Sequence, residues 1–572
     1  MKAKALILLL AIPGVSALLF IRLRSSLGGG RLWLAFTSLF GSREGRPPSP
    51  LERLRANWGR KITRERDLDF IAQYHRFVAG NRETVDEQTW QDLGMDEVFA
   101  GIERAVSLPG RQILYARLRA YGAAPAVLAE RTRQYGIYRQ DAGLREQMQL
   151  LLGRLDGKGA EYLAPLLLSR FPPAPELGWL LYLASAMPAL CLLAMIFFPP
   201  LLMAVLLFLG VNTVIFFTYG QKITPYFAGF AQIEAMLGAA DGLGNLENRH
   251  ALPELQELRG AQPMIRQLRR RLGWLIMDRA AFPDLLQGFF LYLNMFFLCD
   301  VLIFLRSRAA LEHEQAALAR MFETVGSLDA SLAVASYLEE LPDYCIPTTS
   351  ADRRLQVDQL RHPLVPGAVS NSLGLNGRSA VIAGPNMAGK TCFIRTVGIN
   401  LLLGQTLNFC LARSATMPRV VVRSAIRRED MLEEGRSYFF AEIKQILEFV
   451  QTKEGPPLHF FLIDEIFRGT NTGERIASSV AVLRHLARAH LVLVTTHDSE
   501  LQELLGDAFD MHHFSDCVDE KGYGFDYLIR PGPAQSHNAI KLLELSGYPK
   551  SITSEAEALA EIFKANPRVK LT

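Results

Sequence analysis

Three long apolar stretches stand out from the mixed hydrophobic and polar positions of this chain. The first, residues 5–21, contains no charged residue and has lysines before it and arginines after it. Such a segment is typical of a cleaved signal peptide or of an uncleaved membrane anchor. A buried amphipathic helix is a third interpretation of the same pattern.

The second stretch, residues 177–219, carries no charge over its whole length and is interrupted near its middle by Pro199 and Pro200. Paired prolines end one helix and start another. Each half is close to the ~20 residues that cross the hydrocarbon core of a bilayer. Interfacial aromatic anchors are expected near the ends of such a hairpin, and candidates are Trp179, Tyr182 and Tyr219. The pattern predicts a transmembrane helical hairpin.

The third stretch, residues 285–305, contains Asn294 and Asp300, and a carboxylate is costly in lipid. A single further crossing would put the regions before 175 and after 345 on opposite sides of the membrane. Pairing this stretch with one half of the hairpin would export the arginine-rich residues 220–282, against the positive-inside rule. We therefore predict a packed or interfacial helix here.

Residues 51–175 and 220–345 are predicted to form long helices, because apolar positions recur there at helical spacing. The charges nearly balance, with 62 lysines and arginines against 58 acidic residues, so composition gives no nucleic-acid signal. The run Arg269–Arg270–Arg271 is the exception. It fits contact with phosphates or anionic lipids, and a solvated helix face is the commoner explanation. The six cysteines lack CxxC spacing, which argues against a zinc site or a disulfide framework.

A phosphate-binding loop is the clearest chemical motif. Residues 384–391, GPNMAGKT, fit the pattern G-x-x-x-x-G-K-[ST] between a short strand and an apolar helix. Gly384 and Gly389 let the backbone N–H groups turn toward phosphates, Lys390 reaches the terminal phosphates, and Thr391 binds magnesium. The predicted nucleotide-binding residues are Gly384, Pro385, Asn386, Met387, Ala388, Gly389, Lys390, Thr391 and Cys392. The pattern predicts ATP and Mg²⁺ as ligands.

Two further strand ends complete a predicted catalytic centre. The apolar strand 460–463 is followed by Asp464, a magnesium ligand, and Glu465, which polarises the attacking water. The next apolar strand, 491–494, is followed at short distance by His497, placed to sense the γ-phosphate. The order of loop, acidic strand and strand with histidine is that of ABC-type ATPases. We predict Glu465, His497 and Lys390 as catalytic residues, with Thr391 and Asp464 at the metal.

Together these segments resemble the ATPase domain of the MutS family. The loop GPNMAGKT has the family's Asn-Met centre, and residues 464–472, DEIFRGTNT, are similar to its DEIGRGTST segment. Residues 426–443 resemble its signature region, 361–363 its RHP element and 536–549 its closing segment. The resemblance covers about 200 residues, with weaker similarity around residues 93–151 in the family's helical core.

The resemblance implies a homodimer of ATPases in which the signature serine, here Ser437, completes the partner's nucleotide site. It also implies DNA binding coupled to nucleotide state. Three positions depart from the family pattern: Phe467 stands in place of Gly, Tyr438 in place of Thr and Asn471 in place of Ser. Because the first 50 residues are predicted to be anchor and linker, the family's separate mismatch-reading domain is not expected.

The predicted fold is therefore an α/β P-loop ATPase domain of ABC type, MutS-like, preceded by an all-α core and lever domain that a transmembrane hairpin interrupts. We predict an anchor and linker (1–50), a first helical part (51–176), the hairpin (177–219), a second helical part (220–345) and the ATPase domain (346–572).

The predicted location is the cytoplasmic membrane of a bacterium, with the ATPase domain in the cytoplasm. An uncleaved anchor is favoured at residues 5–21, because export would remove the ATPase from ATP. Two alternatives remain open: a membrane-associated ATPase acting in remodelling or transport without DNA, and a nucleotide-gated scaffold with negligible turnover.

Overall fold

The structure is a computed structural model that describes residues 48–565, with gaps at 82, 158, 170–177, 273–283, 386, 427–434, 468–470, 520–521, 535–539, 541–542 and 545–546. The predicted anchor at residues 5–21 lies outside the described residues. Contacts group the chain into two compact units, Met1–Arg55 and Ala56–Thr572. Helix α1, Pro50–Asn57, spans the boundary, and all other elements described below belong to the second unit.

The first helical part consists of short helices, so the prediction of long helices for residues 51–175 was wrong. The helices are α2 (Leu68–Val78), α3 (Glu87–Asp92), α4 (Met95–Ile102), α5 (Leu108–Arg119), α6 (Pro125–Gln140), α7 (Ala142–Leu152) and α8 (Leu163–Leu168). Capping side chains start several of them, since Asp67, Asp86, Ser107 and Asp141 each accept hydrogen bonds from the first backbone N–H groups. Frequent capping residues therefore divide a pattern whose periodicity alone suggests longer elements.

Two helices occupy the second apolar stretch, α9 (Gly178–Ala194) and α10 (Leu202–Ile215). The second helical part does contain long helices, and its elements are α11 (Gln221–Gly244), α12 (Pro253–Leu272), α13 (Asp284–Phe297) and α14 (Cys299–Glu340). The chain turns between α9 and α10 through a 3-10 turn, Pro199–Leu201, as the two prolines predict. A π-helical turn, Phe216–Gly220, then leads directly into α11.

The third apolar stretch is two helices rather than the single predicted one. Leu298 adopts a left-handed conformation, φ 48°, which ends α13 and starts α14. The last carbonyls of α13 lose their helical partners at this corner, and polar side chains of the hairpin replace them. Asn212 donates to the Phe296 carbonyl oxygen at 2.6 Å, and Ser185 donates to that of Phe297 at 2.5 Å. Helix α13 thus packs on α9 and α10, and we call these three helices the apolar unit.

Two sheets follow the helical parts. A four-stranded sheet has the order β1–β5–β2–β3, and a six-stranded sheet has the order β10–β9–β4–β8–β7–β6. In the larger sheet all neighbours are parallel except the edge pair β9 and β10. The strands are β1 (Thr348–Ser350), β2 (Arg354–Leu360), β3 (Asn371–Asn376), β4 (Ser379–Ala383), β5 (Ser414–Pro418), β6 (Val421–Ala425), β7 (His459–Asp464), β8 (Leu491–Thr496), β9 (Phe509–Asp519) and β10 (Gly522–Pro531).

Helices alternate with the strands of the larger sheet, as expected for parallel neighbours. They are α15 (Lys390–Thr406), α16 (Gly435–Val450), α17 (Thr472–Ala489), α18 (Ser499–Leu505) and α19 (Lys550–Ala565). Strands β4 and β8 are buried along their whole length, which matches the apolar run of four residues in each. Mixed α/β sheets after a helical region therefore agree with the predicted fold class at this level. The domain boundaries stay a prediction.

The open edge of the six-stranded sheet is covered by three side chains of the helical part, which we call the edge clasp: Thr89, Asp92 and Tyr121. They accept the outward N–H groups of β6 and of the residue that follows it. Val422 donates to the Tyr121 hydroxyl at 3.2 Å, Ser424 donates to Thr89 at 3.0 Å and Ile426 donates to Asp92 at 2.9 Å.

Two further hydrogen bonds connect the side chains of the clasp to β6. Asp92 is fully buried and also accepts from the Ser424 hydroxyl at 2.8 Å, and burial raises the pKa of its carboxyl group. The Tyr121 hydroxyl donates in turn to the Val422 carbonyl oxygen at 3.0 Å. An unpaired edge strand exposes a row of N–H and C=O groups, and here side chains satisfy them.

We expect Asp92→Ala to lower the stability of the protein by about 2–3 kcal/mol, because it leaves the Ile426 N–H and the Ser424 hydroxyl buried without their acceptor. Urea denaturation of the purified chain in mild detergent measures this as a lower midpoint. Asp92→Asn keeps one acceptor and should fall between the Ala variant and the parent chain. Asp69→Ala, at an exposed carboxylate, is the matched control. Equal midpoints for Asp92→Ala and the control would contradict the role of the clasp.

Candidate functional site

The predicted phosphate loop joins the interior strand β4 to helix α15. Gly384 has φ 141°, and a Cβ atom there would lie 2.6 Å from the carbonyl oxygen of Phe514 on the neighbouring β9. Gly389 has φ 96° and forms the N-cap of α15. Both conformations suit glycine, so the two glycines that the motif requires also have a local steric reason. Asn386 lies outside the described residues.

The side chain of Lys390 is buried at the start of α15 and held inside the loop. Its ammonium group donates to the carbonyl oxygens of Gly384 at 2.7 Å and Pro385 at 3.0 Å. It also lies 3.7 Å from the Glu465 carboxylate, and each of these two side chains is only 5% exposed. A buried lysine surrounded by the loop that it serves is placed to meet an anionic group entering that loop.

Asp464 ends β7 directly beside Thr391. The Thr391 hydroxyl donates to one carboxylate oxygen of Asp464 at 3.0 Å. The other oxygen accepts from the hydroxyl of Thr495 on the neighbouring strand β8. A hydroxyl and a carboxylate oxygen at this separation are suitable ligands for Mg²⁺, which usually takes one or two carboxylates with water and phosphate oxygens. The donor set therefore fits the predicted metal.

Glu465 turns away from Asp464 because its backbone is left-handed, with φ 51°. Its carboxylate points between Lys390 and His497, and one oxygen lies 3.1 Å from Nδ1 of His497. The two adjacent carboxylates thus serve different positions, one at the Thr391 hydroxyl and one at the lysine and histidine. All three predicted catalytic side chains come together at the carboxyl ends of the neighbouring strands β4, β8 and β7.

Some residues around this centre were not predicted. Thr495 pairs in register with Asp464 across β7 and β8, so the strand alignment would have located it. Asp498 lies 3.8 Å from Nε2 of His497 and accepts from Arg475 at 2.8 Å. No sequence pattern links Arg475 to this position, because it comes from α17.

A cavity of about 440 Å³ opens beside the loop. Residues that line it come from α15, from β9 and β10, and from the segment after β2, among them Gly389, Cys392, His362, Val365 and Tyr527. Burial and the nearby Arg395 lower the pKa of His362 to about 4, so this ring is neutral at physiological pH. Cys392 was predicted from its place in the motif, and it lines this cavity. His362, which also lines it, was predicted only as part of the RHP element.

The predicted signature region is described only in part. Residues 427–434 are outside the described residues, and Ser437 lies in the first turn of α16 with its side chain also outside them. Glu442, further along α16, accepts a hydrogen bond from the Phe467 N–H at 2.6 Å. The signature helix is thereby connected to the loop that follows Asp464 and Glu465.

Two of the departures from the family pattern have a structural explanation. Phe467 adopts φ 58°, a conformation in which the family's glycine is free of strain. Its ring is buried with Ile446, Phe449 and Phe461, and this packing opposes the backbone strain. Asn471 is the N-cap of α17, and its side chain accepts from the Gly473 N–H at 3.2 Å. Asn and Ser are both favoured N-caps, so that exchange is conservative.

The region that holds this site is similar to known proteins. The family described as MutS domain V matches residues 380–564. The DNA mismatch repair protein MutS of Natronomonas pharaonis is 30% identical over 283 residues, which cover 47% of this chain and 32% of that protein. The C-terminal half of this chain is thus similar to MutS proteins, and residues 380–564 match their domain V. The family resemblance predicted from the motifs is thereby confirmed.

Other MutS proteins match to the same extent. A MutS protein of Thermus thermophilus is 30% identical over 272 residues, 46% of this chain and 33% of that protein. The protein of Synechococcus elongatus is 30% identical over 270 residues, 43% of this chain and 30% of that protein. The chain thus spans about a third of the length of these MutS proteins. Every residue of the predicted MutS-like nucleotide site lies within the matched domain V.

We expect Phe467→Gly to be more stable than Phe467→Ala, although glycine usually destabilises a chain relative to alanine. Both variants lose the buried ring, at a cost of about 3–5 kcal/mol. Only glycine removes the left-handed strain, which is worth roughly 1–2 kcal/mol. Urea denaturation of the two variants measures the difference. Equal stability, or a more stable alanine variant, would show that Phe467 is not strained.

Proposed function

We propose that the MutS-like domain binds Mg-ATP and hydrolyses it. The observation that carries this proposal is the convergence of Lys390 and Thr391 from the loop with Asp464 and Glu465 from the adjacent strand end. The loop would hold phosphates through its backbone N–H groups and the first turn of α15. The neighbouring cavity, next to Gly389, would hold the nucleoside.

In this proposal each side chain has a separate part in the reaction. Lys390 leaves the loop carbonyls and neutralises charge on the terminal phosphates. Thr391 and Asp464 would hold Mg²⁺, which would supply charge stabilisation at the phosphates. Glu465 orients a water molecule and accepts its proton as the water oxygen attacks the γ-phosphorus, with ADP as the leaving group. His497 positions the Glu465 carboxylate and lies beside the γ-phosphate.

Pairing of two copies and DNA binding are proposed from the family relationship. Ser437, at the N-terminal turn of α16, would complete the site of a second copy. Nucleotide state would then control how two domains close. The relatives are named as DNA mismatch repair proteins, and we propose that DNA in some structured or mismatched form is a ligand. An ATPase acting in remodelling or transport without DNA is the alternative.

We also propose that the apolar unit inserts into a membrane. Among the described residues, Pro199–Gly220 is the one helix long and apolar enough to cross a bilayer by length and composition, and α9 is a shorter apolar helix. Apolar side chains are exposed along both helices, with Leu193 of α9 at 65% and Met203 of α10 at 72%. A contiguous exposed apolar surface of this kind marks an interaction site, and lipid is the partner that such a surface suits.

Replacing Glu465 by Gln should abolish steady-state ATP hydrolysis while ATP binding persists, because the base is lost and the phosphate contacts stay. Phosphate release measures the first and equilibrium binding of a labelled nucleotide measures the second. Lys390→Met is the complementary control and should weaken binding itself. Unchanged turnover in Glu465→Gln would refute the assigned base.

The pair Met203→Asp and Leu207→Asp should strongly reduce retention of the chain in membranes after an alkaline wash. A charge within the hydrocarbon core costs up to roughly 3 kcal/mol, the most at its centre. Val127→Asp with Phe77→Asp changes two exposed apolar residues of the short-helix part and should leave retention unchanged. If α10 is instead exposed to water, the two aspartates on it will have no more effect than those of the control.

A further inference from the structure

The imidazole ring of His497 lies between two carboxylate groups. Its Nδ1 atom is 3.1 Å from one oxygen of Glu465, and its Nε2 atom is 3.8 Å from one oxygen of Asp498. The His497 side chain is 43% exposed, so packing alone does not fix the ring, and the groups at its two nitrogens contribute to its orientation. Glu465 is only 5% exposed and directs its other oxygen to Lys390. The ring is therefore the mobile member of this group.

Asp498 occupies the N-cap position of α18, but its carboxylate does not cap that helix. An N-cap aspartate usually accepts hydrogen bonds from the first N–H groups of its helix. In the part of the chain that the structure describes, the Asp498 side chain makes no such bond, although its backbone is extended as in a cap. Its N–H donates to the Thr496 hydroxyl at 3.0 Å, and Gln502 donates to its carbonyl oxygen at 3.2 Å. The backbone is thus held on both sides, while the carboxylate serves other partners.

Arg475 of α17 holds this carboxylate in place. Its guanidinium group donates at 2.8 Å to the same Asp498 oxygen that faces the His497 ring. The side chains of Arg475 and Asp498 are 13% and 16% exposed, so the pair is largely withdrawn from water. Arg475 ends the first turn of α17, where the helix dipole disfavours a cation. The contact with Asp498 compensates for this unfavourable position.

Groups of alternating charge thus follow one another from the phosphate loop to α17, with the imidazole ring in the middle. In order they are Lys390, Glu465, His497, Asp498 and Arg475. The 3.8 Å separation between the ring and Asp498 is longer than a hydrogen bond. Contacts of this kind in catalytic sites are often long before substrate binds and shorten in the complex.

We propose that Asp498 and Arg475 are positioning residues that orient His497 for ATP hydrolysis. The proposal rests on the ATPase proposed above and acts on the same site. Asp498 holds the far edge of the ring, Arg475 holds Asp498, and the ring in turn holds the carboxylate that activates water. Through Arg475, the orientation of the ring depends on the first turn of α17.

A purely structural role for this pair would be to tie α17 to α18. A second pair already does so, because Arg484 of α17 lies 2.9 Å from the carboxylate of Asp507, just beyond the end of α18. That pair is more exposed and lies away from the His497 ring, so it provides a control with the same chemistry.

The test is a cycle of variants of the full chain in mild detergent: Asp498→Asn, His497→Ala and the two together. Asparagine is as good an N-cap as aspartate, so α18 is retained. We expect Asp498→Asn to lower kcat roughly 10- to 100-fold, because displacement of a catalytic group by about 1 Å can cost that much. Binding of a labelled nucleotide and the urea midpoint should stay at the parent values. In the His497→Ala background the same replacement should cause no further loss, because Asp498 acts through the ring.

Arg475→Gln tests the next contact in the series. It should lower kcat in the same direction, because Asp498 loses the group that holds it. Combined with Asp498→Asn it should be no slower than Asp498→Asn alone, since both replacements remove one pathway. Losses of kcat that multiply in the combined variant would show that Arg475 does not act through Asp498.

The matched control is Asp507→Asn, which removes the acceptor of the second pair and should leave turnover at the parent value. Parent turnover in Asp498→Asn would overturn the proposal, as would an equal loss in the control. A loss that comes with a lower urea midpoint, or a further loss in the His497→Ala background, would assign Asp498 a structural role and also overturn it. Absence of turnover in the parent chain would refute the proposed ATPase together with the positioning role, whereas every other outcome leaves the ATPase standing.

Discussion

The hydrogen bonds of the edge clasp attach the helical part to the open edge of the six-stranded sheet. Strand β6 is the open edge of that sheet, and its outward N–H groups have no strand to receive them. Thr89, Asp92 and Tyr121 receive them, so the helical part takes the place of a seventh strand. Ile426, held by Asp92, is the first residue of the signature region. A displacement of Ile426 must therefore either move α3 or break a buried hydrogen bond.

The centre of the proposed ATPase depends on a change of backbone conformation between two adjacent residues. Asp464 is the last residue of an extended strand and its carboxylate meets Thr391 and Thr495. Glu465 is left-handed, and its carboxylate therefore meets Lys390 and His497. One strand end thus supplies both a metal ligand and a base without their carboxylates competing for one position. Phe467, two residues later, is also left-handed, and its buried ring and the hydrogen bond from its N–H to Glu442 hold it in this strained conformation.

The sequence was sufficient for the parts of the molecule that local chemistry determines. The phosphate loop, the acidic strand end and His497 were predicted at the correct elements, because each motif needs a strand before it and a turn after it. Because the strands are parallel, their carboxyl ends lie on the same side of the sheet and bring these residues together. Leu298 shows where such reasoning ends: an apolar residue within an apolar run gives no signal for a left-handed corner, which depends on Asn212 and Ser185 far away in sequence.

Contacts between distant segments account for the other differences. The roles of Thr495 and Arg475 follow from strand register and helix packing, which no single segment reveals. The cavity beside the loop is likewise formed by residues from β2 to β10. The short helices before residue 170 were missed for another reason, since capping residues such as Asp86 and Ser107 interrupt a periodic pattern without changing it.

The helical path from α10 through the π-helical turn to α11 has a mechanical consequence. Residues 202–244 form a rod with no loop in it, about 65 Å long at 1.5 Å per residue. Helix α14, 42 residues long, is a second rod that starts at the apolar unit and ends near β1. Two stiff connections transmit tilt and torque, whereas a flexible linker would absorb them. A change in the inclination of the apolar unit would therefore move both rods within the helical part, and a movement of the helical part would reach the apolar unit in the same way.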